Sequence, residues 1–199
     1  MSTAESIEHL PLVQKRRLLG YAIPLFNIPL LVLNVYQTYE HLAGGMNWKS
    51  WDFAVDAVGI ALSQVLAVLL PQWIPVFPSK YSFTENGLTL TRLLKRTRTV
   101  PYRRIERVEV WIREEGKISE EAERYTKESS DRLRKSGLKF VDYTNDEKNI
   151  VILLSGKEAI MISPANPRSF LKGLKKRSPK VTAKIVELNA RGKTVQELE

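Results

Sequence analysis

The residues that could carry acid, base or nucleophilic chemistry are scattered along this sequence. The carboxylate pairs Glu114-Glu115 and Glu120-Glu121 lie in a highly charged segment, where solvation is the expected state. The chain has no cysteine and only two histidines, His9 and His41, which excludes a disulfide or thiolate nucleophile and argues against a histidine zinc site. No glycine-rich phosphate loop and no nucleophile beside a base is present. We therefore expect no enzymatic activity, cofactor, metal or small-molecule substrate.

The densest chemical feature is a basic stretch that begins at Arg92 and contains Glu106 as its single acid. The candidate contacts to anionic lipid in it are Lys95, Arg96, Arg98, Arg103, Arg104 and Arg107. Each such cation contributes about 1 kcal/mol near an anionic surface. The alternative is a solvated basic face that only follows from membrane topology. Tyr102 is the one aromatic residue among these cations, too few for a stacking platform, so nucleic acid is not an expected partner.

These cations belong to a chain whose charge is unevenly distributed. Residues 1–79 contain four Lys/Arg and five Asp/Glu, whereas residues 80–199 contain 27 and 17, so the net charges are -1 and +10. A basic domain fits nucleic acid, an anionic membrane surface or the positive-inside rule. A membrane tether favours the last two interpretations.

The tether is predicted from an uncharged run, Leu18 to Tyr36, which spans about 28 Å as a helix and so crosses a hydrocarbon core. Pro24 and Pro29 are tolerated in membrane helices, where neighbouring groups satisfy the freed carbonyls. Asn27 and Asn34 are expected to face a partner helix.

A second apolar run follows Asp56 and continues without charge to Lys80. Tryptophans 48, 51 and 73 flank it, as in interfacial aromatic belts. Asp56 is either a proton or partner-helix site in the bilayer or, as we favour, a carboxylate that reaches headgroup water. Gln64 is a further candidate for contact with a membrane partner. A soluble protein with two buried helices is the rival interpretation, but such helices usually carry a polar stripe, and these carry almost none.

Orientation follows from the basic residues around these two runs. Lys15, Arg16 and Arg17 precede the first run and a basic region follows the second, whereas Lys49 is the only Lys or Arg in the connecting loop. The positive-inside rule then places both termini in the cytoplasm. The predicted organisation is a cytoplasmic segment over residues 1–17 and a transmembrane helical hairpin over 18–78 of a multi-pass plasma-membrane protein.

From Lys80 onward, short alternating runs separated by turn residues predict antiparallel β structure. A hairpin turn is expected at Glu85-Asn86-Gly87. A charged insertion over 113–136 is interpreted as a polar helix or mobile arm. A helix is predicted to start at Asn166-Pro167, and the tail over 178–199 has apolar residues at helical spacing.

Residues 80–177 resemble the pleckstrin-homology-like (PH-like) domains of bacterial and archaeal membrane proteins, which often follow a two-helix hairpin. The residues that carry the resemblance are Tyr81-Ser82-Phe83-Thr84 with Gly87-Leu88, Val100-Pro101-Tyr102 with Ile105 and Val108, and Ile162-Ser163-Pro164 with Pro167 and Phe170. The resemblance implies an α+β fold in which a partly open antiparallel β-barrel of about seven strands over 79–177 is capped by a C-terminal helix. It also implies binding and scaffolding rather than catalysis. The first hairpin turn lacks Lys and Arg, so recognition of an inositol phosphate is not expected.

Two functions follow from the sequence. The first is a membrane-anchored scaffold whose cytoplasmic domain recruits or stabilises protein partners, aided by nonspecific contact with anionic lipid. The second is an accessory or regulatory subunit of a larger transport or protease complex. Both make the bilayer and another membrane protein, or a second copy of the chain, the expected partners.

Overall fold

A computed structural model describes residues 4–45, 47–69, 76–114 and 118–198. The chain divides into two compact units. Leu12–Phe77 form a helical unit, whereas Met1–Pro11 and Pro78–Glu199 together form a β unit.

The helical unit contains α1 (Gln14–Ala43) and α2 (Trp51–Gln64), and a π-helical turn, Val65–Leu69, follows α2 directly. Helix α1 extends beyond the predicted apolar run at both ends because no residue interrupts it before Gly44, and Gly45 then adopts a φ of 86°. Within the described residues, α1 is the helix long and apolar enough to cross a membrane. The predicted second span lies partly outside the described residues, since residues 70–75 are not among them.

The first sheet of the β unit has the order β1-β2-β3-β4 and is antiparallel. Its strands are β1 (Glu5–Ile7), β2 (Ser79–Thr84), β3 (Gly87–Arg92) and β4 (Lys95–Val100). The predicted hairpin turn is confirmed, because Thr84 pairs with Gly87 across Glu85-Asn86. Gly87 has a φ of 154°, and a Cβ atom there would lie 2.2 Å from the Val100 carbonyl oxygen, so this position requires glycine.

The second sheet has the order β10-β9-β5-β7-β8-β6. Its strands are β5 (Arg107–Arg113), β6 (Lys139–Asp142), β7 (Asn149–Ser155), β8 (Glu158–Ile162), β9 (Thr182–Asn189) and β10 (Gly192–Leu198). The β5–β9 and β6–β8 pairs are parallel, and the other pairs are antiparallel.

Two helices belong to the β unit. Helix α3 (Glu120–Lys135) confirms the helical interpretation of the charged insertion, and the Ser119 hydroxyl caps it by accepting from the Ala122 N–H at 3.2 Å. Helix α4 (Pro167–Arg177) begins as predicted, with the Asn166 side chain accepting from the Ser169 N–H at 2.9 Å.

The predicted α+β class is confirmed, but the β unit differs from the expectation in its sheets and in its tail. The described residues form a mixed α+β fold with ten strands in two sheets and no closed barrel. The tail does not form a helix, because its residues build β9 and β10 after α4. The spacing of Val181, Ile185 and Leu188 was misleading: β9 is covered on both faces, so Val186 and Leu188 are buried beside α3 while Ala183 and Ile185 join the main core.

The N-terminal segment also differs from the prediction. Residues 1–17 were expected to precede the membrane as a separate segment, but β1 pairs with β2 in the first sheet, with Ile7 opposite Tyr81. The Leu10 N–H donates to the Ser163 carbonyl at 3.1 Å, and the Ala165 N–H donates to the Glu8 carbonyl at 3.0 Å. The residues before Leu12 therefore belong to the β unit, which the chain leaves for α1 and re-enters at β2.

The buried side chain of Asn145 joins the two segments at which the chain leaves and re-enters the β unit. Its Oδ1 atom accepts from the Ser79 N–H at 2.7 Å. Its Nδ2 atom donates to the carbonyls of Ser79 at 2.9 Å and Leu10 at 3.0 Å. The Asn145 N–H in turn donates to the Ser163 hydroxyl at 2.6 Å. One amide thus satisfies three backbone groups, of which the N–H and the carbonyl of Ser79 are buried and the carbonyl of Leu10 is part-buried.

We expect Asn145→Ala to destabilise the β unit by about 2–4 kcal/mol, because it strands buried donors and acceptors at Ser79 and Leu10. Urea unfolding of the full chain in mild detergent, followed by circular dichroism, measures this loss. Asn149→Ala is the matched control, since its amide makes one bond, to the Ala165 carbonyl at 3.2 Å, and should cost about 1 kcal/mol. Equal losses of unfolding free energy in the two variants would show that the Asn145 contacts stabilise the β unit no more than the single Asn149 hydrogen bond does.

Candidate functional site

Two polar pairs connect α1 with α2 inside the helical unit. The Asn34 amide donates to the Ser63 hydroxyl at 3.3 Å, and the His41 Nδ1 atom lies 2.8 Å from the Asp56 carboxylate. Residues 34 and 41, like residues 56 and 63, are seven positions apart, so each pair of positions lies on one helix face. Gly59 makes the approach possible, because a Cβ atom there would lie 3.2 Å from the Asn34 amide nitrogen.

The other two predicted intramembrane residues do not join these pairs. The Asn27 amide donates to the Ile23 carbonyl of its own helix at 2.8 Å, and Gln64 is exposed. The side chain of Asp56 is about one-eighth exposed and His41 is its partner. His41 was not predicted as the partner of Asp56, because it lies just beyond the apolar run in the sequence.

The exposed apolar surface of α1 is extensive. Leu25 and Phe26 are 69% and 67% exposed, and apolar side chains on every face of the helix are similarly open. Water-soluble proteins rarely expose so continuous an apolar surface, which fits a lipid environment.

The predicted basic stretch divides into two groups along β4. Arg98, Arg103 and Arg104 line a cleft of about 640 Å³, which the β7–β8 turn also borders. Lys95 and Arg96 lie at the other end of the strand, about 17 Å and about 13 Å along the backbone from Val100. Arg107 lies at the start of β5, outside the cleft lining, and its guanidinium is 3.1 Å from the Glu109 carboxylate.

The local fold directs Arg103 and Arg104 outward. They occupy a short 3-10 helix, Tyr102–Arg104, between two anchored neighbours. The Tyr102 hydroxyl donates to the Thr84 carbonyl at 2.7 Å, and Ile105 is buried in the core. The two arginines between these anchors are exposed.

Two lysines that were not predicted from the sequence complete the cleft. Lys157 lies in the β7–β8 turn, where Gly156 has a φ of 58°, and the Lys139 N–H donates to the Lys157 carbonyl at 2.9 Å. They lie 35 and 53 residues beyond Arg104 in sequence, and the pairing of β6 with β8 places them side by side.

The cleft is basic but partly neutralised. Its lining contains five cations, Arg98, Arg103, Arg104, Lys139 and Lys157, and two acids, Glu106 and Glu158, which leaves a formal charge of +3. Arg98 forms an ion pair with Glu158 across the cleft. Such a site attracts an anionic group without a fixed cage of donors around it.

Lys95 is engaged elsewhere. Its ammonium donates to the Asp142 carbonyl at 3.2 Å and lies 4.3 Å from the centre of the Tyr143 ring. Burial lowers the pKa of Lys95, and the nearby Arg92 charge lowers it further. The Arg92 guanidinium lies over the same ring at 5.2 Å, so Tyr143 holds both cations at the base of the β3–β4 turn.

A second cleft, of about 590 Å³, lies between α3 and the outer face of the second sheet. Trp111, Ile150, Ile152 and Met161 form its apolar floor, and Leu133 of α3 borders it. Tyr125 packs on Trp111 with ring centres 5.8 Å apart. The charged insertion is therefore a docked helix that shapes this surface.

No model of a known protein family matches the chain, and neither a curated protein nor a solved structure is similar to it.

The polar pairs in the helical unit predict a specific cross-link. Oxidation of an Asn34→Cys/Ser63→Cys variant in membranes should give an intramolecular disulfide, because these side chains already touch. The natural chain has no cysteine, so a gel-mobility shift and mass spectrometry of the linked peptides report this pair alone. The control pair, Asn27→Cys/Ser63→Cys, is about 10 Å out of register along α1 and should not form. Equal yields from both pairs would contradict the observed helix pairing.

Proposed function

We propose that the chain is a membrane-anchored binding module. Helix α1 and a second crossing within residues 51–77 hold a basic, PH-like β unit on the cytoplasmic side, and the basic cleft of that unit recruits an acidic segment of a partner protein.

The observation that carries this proposal is the position of β1. Residues on both sides of the helical unit, β1 and β2, pair in one sheet. A folded unit lies on one side of a membrane, so a chain that leaves it through α1 must cross again before Ser79. The 27 residues from Trp51 to Phe77 are long enough for that return as a helix, at about 1.5 Å per residue.

The orientation is supported by charge. The first turn of α1 contains Lys15, Arg16 and Arg17, and the β unit has most of the other cations. The segment between α1 and α2 contains Lys49 as its single Lys or Arg. The positive-inside rule places the β unit in the cytoplasm.

The PH-like assignment is supported by the order of the elements. A β2–β3–β4 meander is followed by β5, by the β7–β8 hairpin and by α4, all of which contribute to one core. The parallel strand β9 and its partner β10 are additions to that pattern.

A protein partner suits the basic cleft better than a membrane surface does. The chain connections to the helical unit are at Leu10 and Ser79, and Ser79 pairs with Arg92 at the end of β3 next to Lys95. The cleft is lined from Arg98 onward, toward the end of β4 opposite to these connections. A site at that end is open to the cytoplasm.

Three single-cysteine variants test the anchor. Asn47→Cys, between α1 and α2, should react with an impermeant maleimide added outside intact cells. Pro11→Cys and Ser130→Cys should react only after the cells are permeabilised, since both lie in the β unit. Labelling of Asn47→Cys and Ser130→Cys from the same side would refute the second crossing. Labelling of both Pro11→Cys and Ser130→Cys from outside, without labelling of Asn47→Cys, would refute the orientation.

The cleft is tested by co-purification in mild detergent. Replacing Arg103, Arg104 and Lys157 with Gln should remove the proteins that co-purify with the wild-type chain, because three of the five cleft cations are lost. The matched control replaces the exposed Lys172, Lys176 and Lys180 with Gln, which changes the net charge equally at another surface.

The outcomes separate the alternatives. Loss of the same proteins from both variants, or from neither, would refute the cleft as the partner site. A transporter or protease that depends on the cleft would identify the chain as an accessory subunit of that complex.

A further inference from the structure

The β3–β4 turn exposes two leucines. Leu93 and Leu94 are 62% and 44% exposed, and they form a two-residue turn because Arg92 pairs directly with Lys95. Leu94 has a φ of 61°, the left-handed conformation that turns usually give to glycine or asparagine.

The other tight hairpins of the β unit follow the usual chemistry. Their turns are Glu85-Asn86 before Gly87, Gly156-Lys157, and Ala190-Arg191 before Gly192. The β3–β4 turn is therefore exceptional in both conformation and solvation: leucine suits neither the backbone angle nor water. Two adjacent leucines at this turn point to an apolar environment around the tip.

The turn lies at the tethered end of the β unit, which is the end where Leu10 and Ser79 lie next to the chain connections to the helical unit. Arg92, which precedes the turn, pairs with Ser79, and its Nε atom donates to the Ser79 hydroxyl at 2.8 Å. Ser79 is also bound by Asn145, which binds the Leu10 carbonyl as well. Helix α1 begins at Gln14, so four residue steps, at most about 14 Å, separate Leu10 from it.

Cations surround the leucines. Arg92 is buried and Lys95 is half-buried against the Tyr143 ring at the base of the turn, whereas Arg96 is exposed one position further along β4. An apolar tip in front of the accessible cations Lys95 and Arg96 matches the order of layers at an anionic membrane surface, with acyl chains beyond the phosphates.

We propose that Leu93 and Leu94 insert into the interfacial layer of the membrane that α1 crosses and so fix the orientation of the β unit. This inference rests on the proposed membrane anchor. Two leucines cover far less than the roughly 800 Å² that each side of a stable protein interface buries. They suffice at a membrane, because the anchor already holds the β unit there and only its orientation has to be set.

The test uses the full chain in vesicles of neutral and anionic phospholipid, with one cysteine labelled by an environment-sensitive dye. Dye at Leu93→Cys should be quenched by lipids that carry a quencher near the headgroup and protected about threefold from aqueous iodide. Dye at Asn86→Cys, in the polar turn at the other end of the first sheet, should show the opposite pattern.

Dye at Leu30→Cys, in the middle of α1, separates this inference from the anchor. Quenching of Leu30→Cys by lipids with a deep quencher, without quenching of Leu93→Cys, would refute tip insertion and leave the anchor standing. Absence of both signals would refute the anchor, and the tip proposal with it.

A second variant tests the native leucines. Leu93→Asn with Leu94→Gly supplies standard turn residues, so the β unit should be at least as resistant to urea as the wild type. Dye at the exposed Thr97 should nevertheless become about twofold more accessible to iodide in this background, because the tip no longer enters the interface. Unchanged accessibility would contradict insertion by the leucines.

Discussion

The buried amide of Asn145 is the contact on which the arrangement of the chain depends. It binds the backbone at Leu10 and Ser79, which are 69 positions apart and separated by the entire helical unit. A buried amide is costly unless its polar groups are paired, so this one favours a single pairing of the two segments. With those segments fixed in one folded unit, the proposed membrane anchor requires an even number of crossings between them.

The two ends of β4 differ in their chemistry. At the tethered end, Arg92 and Lys95 lie over Tyr143 and hold the exposed turn of Leu93 and Leu94. At the other end of β4, Arg103 and Arg104 join lysines from other strands in the basic cleft. A strand of six residues separates an apolar tip suited to lipid from a cationic surface suited to an acidic partner. In the proposed function, a single basic stretch in sequence would serve these two environments.

The charged insertion and the tail show how tertiary contacts override local patterns. Helix α3 contains few apolar residues, but Ala122 and Tyr125 pack on Trp111 and on Val186 and so cover the outer face of β9. With its inner face in the main core, β9 is apolar on both sides, and its apolar residues no longer alternate simply. The outer face of β9 is apolar because α3 covers it, and α3 is docked because that face is apolar, although about 50 residues separate them in sequence.

The sequence by itself determined the elements whose signals are local: the apolar helix α1, the hairpin at Glu85-Asn86, β2 to β8, and the start of α4 at Asn166. Periodicity and capping act over a few residues, so one segment suffices to predict them. Only the tertiary structure decided the pairing of β1 with β2, the parallel β9, the lysines of the cleft and the Asn145 clamp. These features depend on contacts between residues that are tens of positions apart in sequence. Such contacts stabilise the fold only when both segments are in place.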